Sequence, residues 1–436
     1  MDKDRLDKQQ VGSLSIARSM KVLLLNQCFY PDVVSTAQHL TDLATGLAER
    51  GHQVTVVASS RGYDDPGVRF PKREVWKGIE IIRLPTLGLG KKSPWRRVLD
   101  FASFMLACVF RLMLLPRYDL VMALTSPPLI SFLGALFVRL RGGEFVFWVM
   151  DLNPDEAIVA GWIKEKSLTA RFLKRLLGYS LRCASRIVVL DRFMKGRIRS
   201  KGIGDDKLVV IPPWSHDEAI RYEREGGADF RAQRGLSGKY IVMYSGNHSP
   251  CHPLDTLLDA AGKLSAETQI VFCFVGGGSE FEKVKSYAAR HQLSNIICLP
   301  YQPLDKLSAS LSAADLHVVV MGDSFTGIVH PCKIYNILRI GSPFLYIGPG
   351  QSHVVDILSQ VEGGGWAQVA RHGEVEVVVD HIRRGALSAA RVVEATESNL
   401  SARFSKEALL PLMIDMLEAL PTEKTARIYK ASRTNA

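Results

Sequence analysis

Gly322-Asp323-Ser324-Phe325-Thr326-Gly327-Ile328-Val329-His330-Pro331-Cys332-Lys333-Ile334-Tyr335-Asn336-Ile337-Leu338-Arg339-Ile340-Gly341 is the stretch on which the fold turns. A glycine-containing loop runs into a helix N-terminus with Lys333 in its first turns, so amide donors, the positive end of a helix dipole and a mobile cation converge. That convergence suits a diphosphate. One apolar run precedes it, Leu316 to Met321, and another follows, Pro343 to Ile347. The result is strand, loop, helix, strand, the order in which α/β sheets hold phosphates at strand ends. Taken alone, the segment reads equally well as an ordinary βα connection with a surface lysine.

Working outward, the same alternation covers both halves of the chain. Around the opening stretch, Tyr240 to Tyr244, Ile270 to Val275, Ile296 to Leu299 and Phe344 to Ile347 are further strand-like runs separated by helix-length segments. In the first half, Lys21-Val-Leu-Leu-Leu-Asn26 is a continuous apolar run of the kind that fills a doubly covered parallel strand. Leu40, Leu43, Ala44, Leu47 and Ala48 then recur at helical spacing, Gly51-His52 ends the helix, and a strand follows from Gln53 to Ala58. Runs at Ile79 to Leu84, Leu120 to Ala123, Phe145 to Met150, Ile187 to Leu190 and Leu208 to Ile211 extend the series. Pro212-Pro213-Trp214 stops it. The spacing predicts an α/β protein of two tandem Rossmann-like domains facing across a cleft. Their expected bounds are 20–214 and 240–405, with a flexible extension over 1–19, a polar linker over 215–239, and a C-terminal helix and tail over 406–436.

Composition agrees and narrows the partners. At 436 residues, 47% apolar and 23% charged, the chain is globular and long enough for roughly two to three domains. A net charge of +11 and a pI near 9.3 favour an anionic partner. Lys91, Lys92, Arg96 and Arg97 precede the apolar segment Val98 to Leu115, and Lys164, Lys166, Arg171, Lys174, Arg175, Arg182 and Arg186 lie along another helix. Basic residues abutting apolar ones fit an anionic membrane surface better than a merely solvated face. Asp100 and Arg111 interrupt the apolar segment, so it falls short of a span and is expected to lie on a bilayer or in a core. Nucleic acid is not an expected partner, because no zinc-finger spacing or RNA-binding signature is present. The seven cysteines sit singly with no CxxC pair, which implies a reducing compartment and no structural metal. The polar N-terminus lacks a signal core, so the expected location is cytoplasmic.

Four segments fall at carboxyl ends of strands, where such folds bind ligands: Gln27 to Ala37, Asp151 to Glu156, Gly246 to His252, and the opening stretch with its neighbour Gly276-Gly277-Gly278. Glycines there let backbone approach a ligand closely. Asp151 leaves the strand Phe145 to Met150 just before Pro154. It is expected to face the cleft, orienting an acceptor hydroxyl or taking its proton. Asn153 is the better N-cap for the helix that follows. Ser35, Thr36 and Gln38, at the first βα turn, suit contact with acceptor or phosphate, or helix capping. No G-x-G-x-x-G follows the first strand, which disfavours a nicotinamide enzyme.

These residues resemble the GT-B glycosyltransferases of the retaining, glycogen-synthase-like class, in their bacterial surface-polysaccharide branch. The resemblance is carried by Asn26 to Ala37 with Leu47-Ala-Glu-Arg-Gly-His-Gln-Val-Thr-Val56, Asp151-Leu-Asn-Pro-Asp155, Ile211-Pro-Pro-Trp214, Tyr244-Ser-Gly-Asn247, Leu254-Asp-Thr-Leu-Leu258, Phe274-Val-Gly-Gly-Gly278 and Pro331-Cys-Lys-Ile-Tyr-Asn336. It implies a nucleotide-sugar donor on the C-terminal domain, with a UDP-sugar expected, an acceptor on the N-terminal domain, and neither cofactor nor obligatory metal. It also implies retention of configuration, and an acceptor that is lipid-linked or a polysaccharide at the inner face of the cytoplasmic membrane.

Lys333 is the expected cation for the departing diphosphate, with Gly246, Asn247, His252, Gly276, Gly277, Thr326, Gly327, Tyr335 and Asn336 as donor contacts. Ser35, Thr36, Gln38, Asp151 and Asn153 are the expected acceptor contacts. Two departures stand out. The paired glutamates of many relatives fall here at Ile328 and Asn336, which leaves sugar recognition to Asn336, Tyr335 or backbone. The basic pair after the first strand of the second domain is replaced by Gly246-Asn247-His248-Ser249-Pro250-Cys251-His252. A nucleotide-sugar 2-epimerase of the same fold, and a non-catalytic nucleotide-sugar or lipid-binding subunit, are the alternative readings.

Overall fold

The structure, a computed structural model, describes residues 19–63, 65–89, 94–215, 220–360, 367–388 and 399–434. The expected N-terminal extension save Ser19, the basic pair Lys91 and Lys92, and His216 lie outside the described residues.

Two sheets organise the chain. The first holds β1 (Lys21–Leu25), β2 (Gln53–Ser59), β3 (Arg73–Trp76), β4 (Ile79–Leu84), β5 (Leu120–Ala123), β6 (Glu144–Trp148), β7 (Arg186–Val189) and β8 (Leu208–Val210), in the order β3-β4-β2-β1-β5-β6-β7-β8. The second holds β9 (Tyr240–Asn247), β10 (Ile270–Gly277), β11 (Ile296–Leu299), β12 (Leu316–Val320), β13 (Phe344–Ile347) and β14 (Ala367–Ala370), in the order β11-β10-β9-β12-β13-β14. Every pairing is parallel except β3 with β4 at one edge. The second order is that of a doubly wound nucleotide-binding sheet, and its direction of winding reverses between β9 and β12.

Helices flank both sheets. The first unit carries α1 (Ser35–Glu49), α2 (Pro94–Leu114), α3 (Ile130–Arg141), α4 (Asp155–Val159), α5 (Leu168–Cys183) and α6 (Arg192–Arg199). The second carries α7 (Arg224–Ala232), α8 (Asp255–Lys263), α9 (Phe281–Arg290), α10 (Leu307–Ser312), α11 (Lys333–Ile340), α12 (His353–Leu358) and α13 (Val375–Leu387). α14 (Asn399–Arg403) and α15 (Lys406–Thr434) end the chain.

Sequence explains the positions of these elements. In β1, Val22, Leu23, Leu24 and Leu25 are all fully buried, as a central strand covered on both faces requires. In α11, Ile334, Ile337 and Leu338 turn inward and Gly341 closes the helix at φ 66°, a left-handed position that glycine adopts without strain. The expected linker is not featureless. It contains α7, which packs on α10, while Phe230 and Leu236 join Ile241 and Met243 in a core of the second unit. Arg231 and Asp315 form a buried ion pair there at 2.8 Å. The C-terminal helix returns to the first unit, where it lies along α1.

Candidate active site between the two sheets

Loops at the carboxyl ends of β9 and β12 flank the reversal point of the second sheet, and Lys333 lies between them. The backbone of β9 brings Gly246 so close that a Cβ added there would lie 3.3 Å from Lys333 Nζ. The ammonium also sits 3.4 Å from the centroid of the Tyr244 ring. It is buried, and among the described residues it has no hydrogen-bond partner. Burial pushes its pKa well below the usual lysine value. A buried cation of this kind, beside a glycine and at the start of a helix, is matched by an anion with oxygens to share.

The glycine loops serve one another. A Cβ on Gly276 would fall 2.1 Å from the Gly246 carbonyl oxygen, and one on Gly278 would fall 2.3 Å from that of His248. Both glycines take positive φ, 137° and 123°. Their close backbone approach is therefore to the neighbouring loop. Gly277 ends β10 under Tyr301. Asn247 is exposed at the same rim.

The two loop histidines separate. His248 is enclosed by Tyr244, Phe274 and Phe281 with Nδ1 on the Gly246 carbonyl at 3.0 Å, so it packs in a core and not against a phosphate. His252 engages the Val320 carbonyl at 2.8 Å. Burial first, and the charge of Lys333 second, lower His252 to about 3, so without a ligand its ring is neutral.

On the opposite wall, Leu152 N–H donates to the Ile328 carbonyl at 2.9 Å, joining the loop after β6 to the loop after β12. Asp151 immediately precedes Leu152, its carboxylate close enough to help raise the Cys251 and Cys332 thiols. Burial, with the Glu156 carboxylate as the second cause, raises it to about 8. Asn153 does not cap α4. Pro154 occupies that position, and the Asn153 amide donates to Glu156 at 2.9 Å. Glu156 in turn accepts from the Cys251 thiol at 3.8 Å. Ser35 opens α1 without a side-chain cap on the helix; Val34 is the N-cap. The Ser35 hydroxyl stands 3.4 Å from His39 Nδ1 and lies near the Cys332 thiol, which itself donates to the His330 carbonyl at 3.2 Å. Gln38 donates back to the Val33 carbonyl, and Thr36 is half-buried beside it.

Two expected donor contacts are engaged by the facing domain, and a third is turned inward. Gly327 is pressed on the backbone of Phe193, where a Cβ would come within 2.6 Å. The Thr326 carbonyl accepts from Arg197 Nε at 2.5 Å. Tyr335 is buried, its hydroxyl 2.7 Å from His330 Nε2 and its ring against Phe404, so it does not reach the phosphate side of α11. Asn336, one turn after Lys333, stays half-buried. Sequence reasoning missed Asp191, Arg197, His330 and His353. Asp191 directly follows the run Ile187 to Leu190, so the strand-end rule applied to the other loops also pointed to it.

Residues 36–214 match the glycosyl transferase 4-like domain and residues 228–330 match the glycosyl transferases group 1 domain, in that order along one chain. The chain belongs to the GT-B glycosyltransferases. It is 26% identical over 339 residues to WcaI of Escherichia coli, named as a colanic acid biosynthesis glycosyl transferase, covering 74% of this chain and 82% of that protein. It is also 26% identical over 250 residues to WbjE of Pseudomonas aeruginosa, named as a glycosyltransferase, covering 57% of this chain and 62% of that one. Among solved structures, HepE of Anabaena, crystallised with UDP-glucose, superposes with a TM-score of 0.68 at 15% identity, covering 92% of this chain and all of that one. Sucrose-phosphate synthase of Thermosynechococcus elongatus superposes with a TM-score of 0.70 at 16% identity, covering 92% and 99%. These structures share the fold.

Proposed function

We propose that this glycosyltransferase moves a sugar from a UDP-sugar to a lipid-linked acceptor in bacterial surface-polysaccharide assembly, with retention at the anomeric carbon. The observation that carries the donor half is the buried Lys333 ammonium at the start of α11, without a hydrogen-bond partner among the described residues. As the bond from the anomeric carbon to the diphosphate breaks, negative charge grows on the leaving phosphate. Lys333 and the amides at the head of α11 stabilise it without an obligatory metal. The acceptor oxygen forms the new bond to the same carbon, and its proton passes to the Asp151 carboxylate. The UDP-glucose bound by HepE, and the colanic acid role in the name of WcaI, support the donor class and the pathway class. Retention rests on the resemblance of the motifs.

The outer surface of the first unit supports a membrane-borne acceptor. α2 buries Phe104, Cys108 and Leu112 at i, i+4 spacing and presents Trp95, Val98, Leu106, Phe110, Met113 and Leu114 to solvent. α3 lies between α2 and α5, and it adds exposed Leu140 while α5 adds Leu168 and Phe172. Exposed Arg97, Arg141, Arg171 and Lys174 lie on the same three helices. Among the described residues no helix is long and apolar enough to cross a membrane. A basic, apolar surface of this size fits docking on the anionic inner leaflet. The test is transfer from a panel of radiolabelled nucleotide sugars to extracted membrane lipids, with EDTA present in one arm. Transfer from a UDP-sugar that survives EDTA and is lost in Lys333→Ala supports the proposal. No transfer from any donor, or undiminished turnover in Lys333→Ala, overturns it.

A further inference from the structure

Behind the Lys333 site, residues of both domains meet in a buried hydrogen-bond chain. Asp191 follows β7 of the first unit and caps α6, its Oδ1 accepting from Met194 N–H at 2.7 Å. Its Oδ2 lies 2.7 Å from Nδ1 of His330, which belongs to the loop after β12 of the second unit. His330 Nε2 lies 2.7 Å from the Tyr335 hydroxyl. All three residues are buried. The partners assign the protons. The Asp191 carboxylate can only accept, so His330 Nδ1–H donates to it, while Nε2 shares a hydrogen bond with the Tyr335 hydroxyl, whose ionisation burial opposes. Burial opposes ionisation of Asp191, but the hydrogen bond and charge of His330, the charge of His353 at 3.8 Å and the Met194 N–H outweigh it and hold the group at about 2, so the carboxylate is charged throughout the physiological range.

A metal reading fits this geometry poorly. Asp191, His330 and His353 bring ligand atoms within 4.8 Å of one another. The two imidazoles, however, stack at 3.7 Å with 21° between their planes, so their in-plane lone pairs run side by side and do not converge on one point. Both nitrogens of His330 are already engaged.

The chain brackets Lys333. His330 lies three residues before it and Tyr335 two residues after it, so one carboxylate of the facing domain fixes both sides of the turn that carries the ammonium. We propose that Asp191 and His330 are positioning residues for donor binding: they hold the start of α11, and with it Lys333, in its diphosphate-binding place only when the two domains are together. Arg197, on the helix that Asp191 caps, adds to the same grip through the Thr326 and Ser324 carbonyls at 2.5 and 3.2 Å. This inference rests on the donor site described above.

The test is calorimetric titration of the full chain with UDP, alongside thermal unfolding. Asp191→Asn and His330→Phe are expected to weaken UDP about ten- to hundred-fold, the range of a lost charge-assisted hydrogen bond. His330→Asn, whose amide reaches the place of Nδ1–H, is expected to recover part of that loss. A merely structural role would lower the unfolding temperature without this graded rescue. Tyr335→Phe removes a single oxygen, keeps the protein folded if the larger changes do not, and is expected to weaken UDP by a few-fold. Wild-type UDP affinity in Asp191→Asn, His330→Phe and Tyr335→Phe, with binding lost in Lys333→Ala, overturns this inference and leaves the donor site standing. Wild-type affinity in Lys333→Ala overturns both.

Discussion

At the scale of single residues, two shifted groups make the chemistry measurable. Burial of Lys333 disfavours its protonated form in the free protein, whereas a bound diphosphate restores it. Binding of UDP is therefore expected to take up a proton, and affinity to fall as pH rises. Titrations in two buffers of different ionisation enthalpy measure the uptake, and none in wild type would count against Lys333 as the phosphate partner. Asp151 is displaced in the opposite sense for an acid, to about 8. As a base it must first lose its proton, so turnover at saturating donor is expected to climb as pH approaches about 8 and to level above it. Asp151→Asn is expected to be slow, by about a hundred-fold or more, and flat with pH. The same shift fixes a stability slope. Unfolded Asp151 ionises near its usual value of about 3.9, while the folded group keeps its proton to about 8, so stability falls as pH rises between those limits. Urea unfolding at both ends of the window is expected to show a smaller difference in Asp151→Asn.

At the scale of elements, the glycines and the exposed face of α2 show what a sequence discloses and what it withholds. Apolar runs such as Val22 to Leu25 and Leu316 to Val320 announce central strands, because a strand covered on both sides has no polar face to show. β3 escaped notice because it is short, lies at an edge and alternates exposed with half-exposed residues. Glycine 276, 278 and 327 were recognisable as sites of close approach, but a single chain of letters does not say what approaches. In the structure it is the Gly246 carbonyl, the His248 carbonyl and the Phe193 backbone. Gly327→Ala is accordingly expected to separate α6 from the donor loop and to cost about 1–3 kcal/mol, measured by urea unfolding, since it adds both a clash and a strained φ of 68°. The face of α2 was legible as apolar with basic flanks, though not that one stripe packs inward and another stays bare. Leu106→Ser with Phe110→Ser removes only the bare stripe. Partition onto vesicles containing phosphatidylglycerol is expected to drop at least about ten-fold, with the fold intact and raised salt weakening what remains. Equal partition by wild type and variant would remove this face from the membrane reading.

At the scale of the whole molecule, the chain crosses between domains twice, and the crossings are tied together. Ser215 N–H donates to the Phe404 carbonyl at 2.8 Å, so the segment leaving the first unit lies against the segment returning to it. The first crossing is anchored by Trp214, buried under α1 with its indole N–H on Asp42 at 2.9 Å. The return was not decided by sequence, because an amphipathic terminal helix presents the same pattern to either domain. What decides it is Gly46, whose missing side chain leaves room on α1 for Ile414, only 2.8 Å from where a Cβ would stand. Leu409, Leu410, Met413, Ile414, Leu417 and Leu420 are all buried in this contact region, and Arg50 pairs with Asp415 and Glu418 around it. The two kinds of contact differ greatly in weight. Exposed ion pairs contribute about 0–1 kcal/mol, whereas each fully buried apolar side chain contributes about 1.5–3 kcal/mol, so the six together rival the stability margin of about 5–15 kcal/mol of an ordinary domain. Asp415→Ala is therefore expected to unfold within about 1 kcal/mol of wild type. A chain ending at Ser405 is expected to lose cooperative unfolding of the first domain or to aggregate. Near-wild-type unfolding of the shortened chain would mean that α15 only decorates the first domain, and the twice-crossed connection would then impose no limit on how far the two halves of the cleft can part.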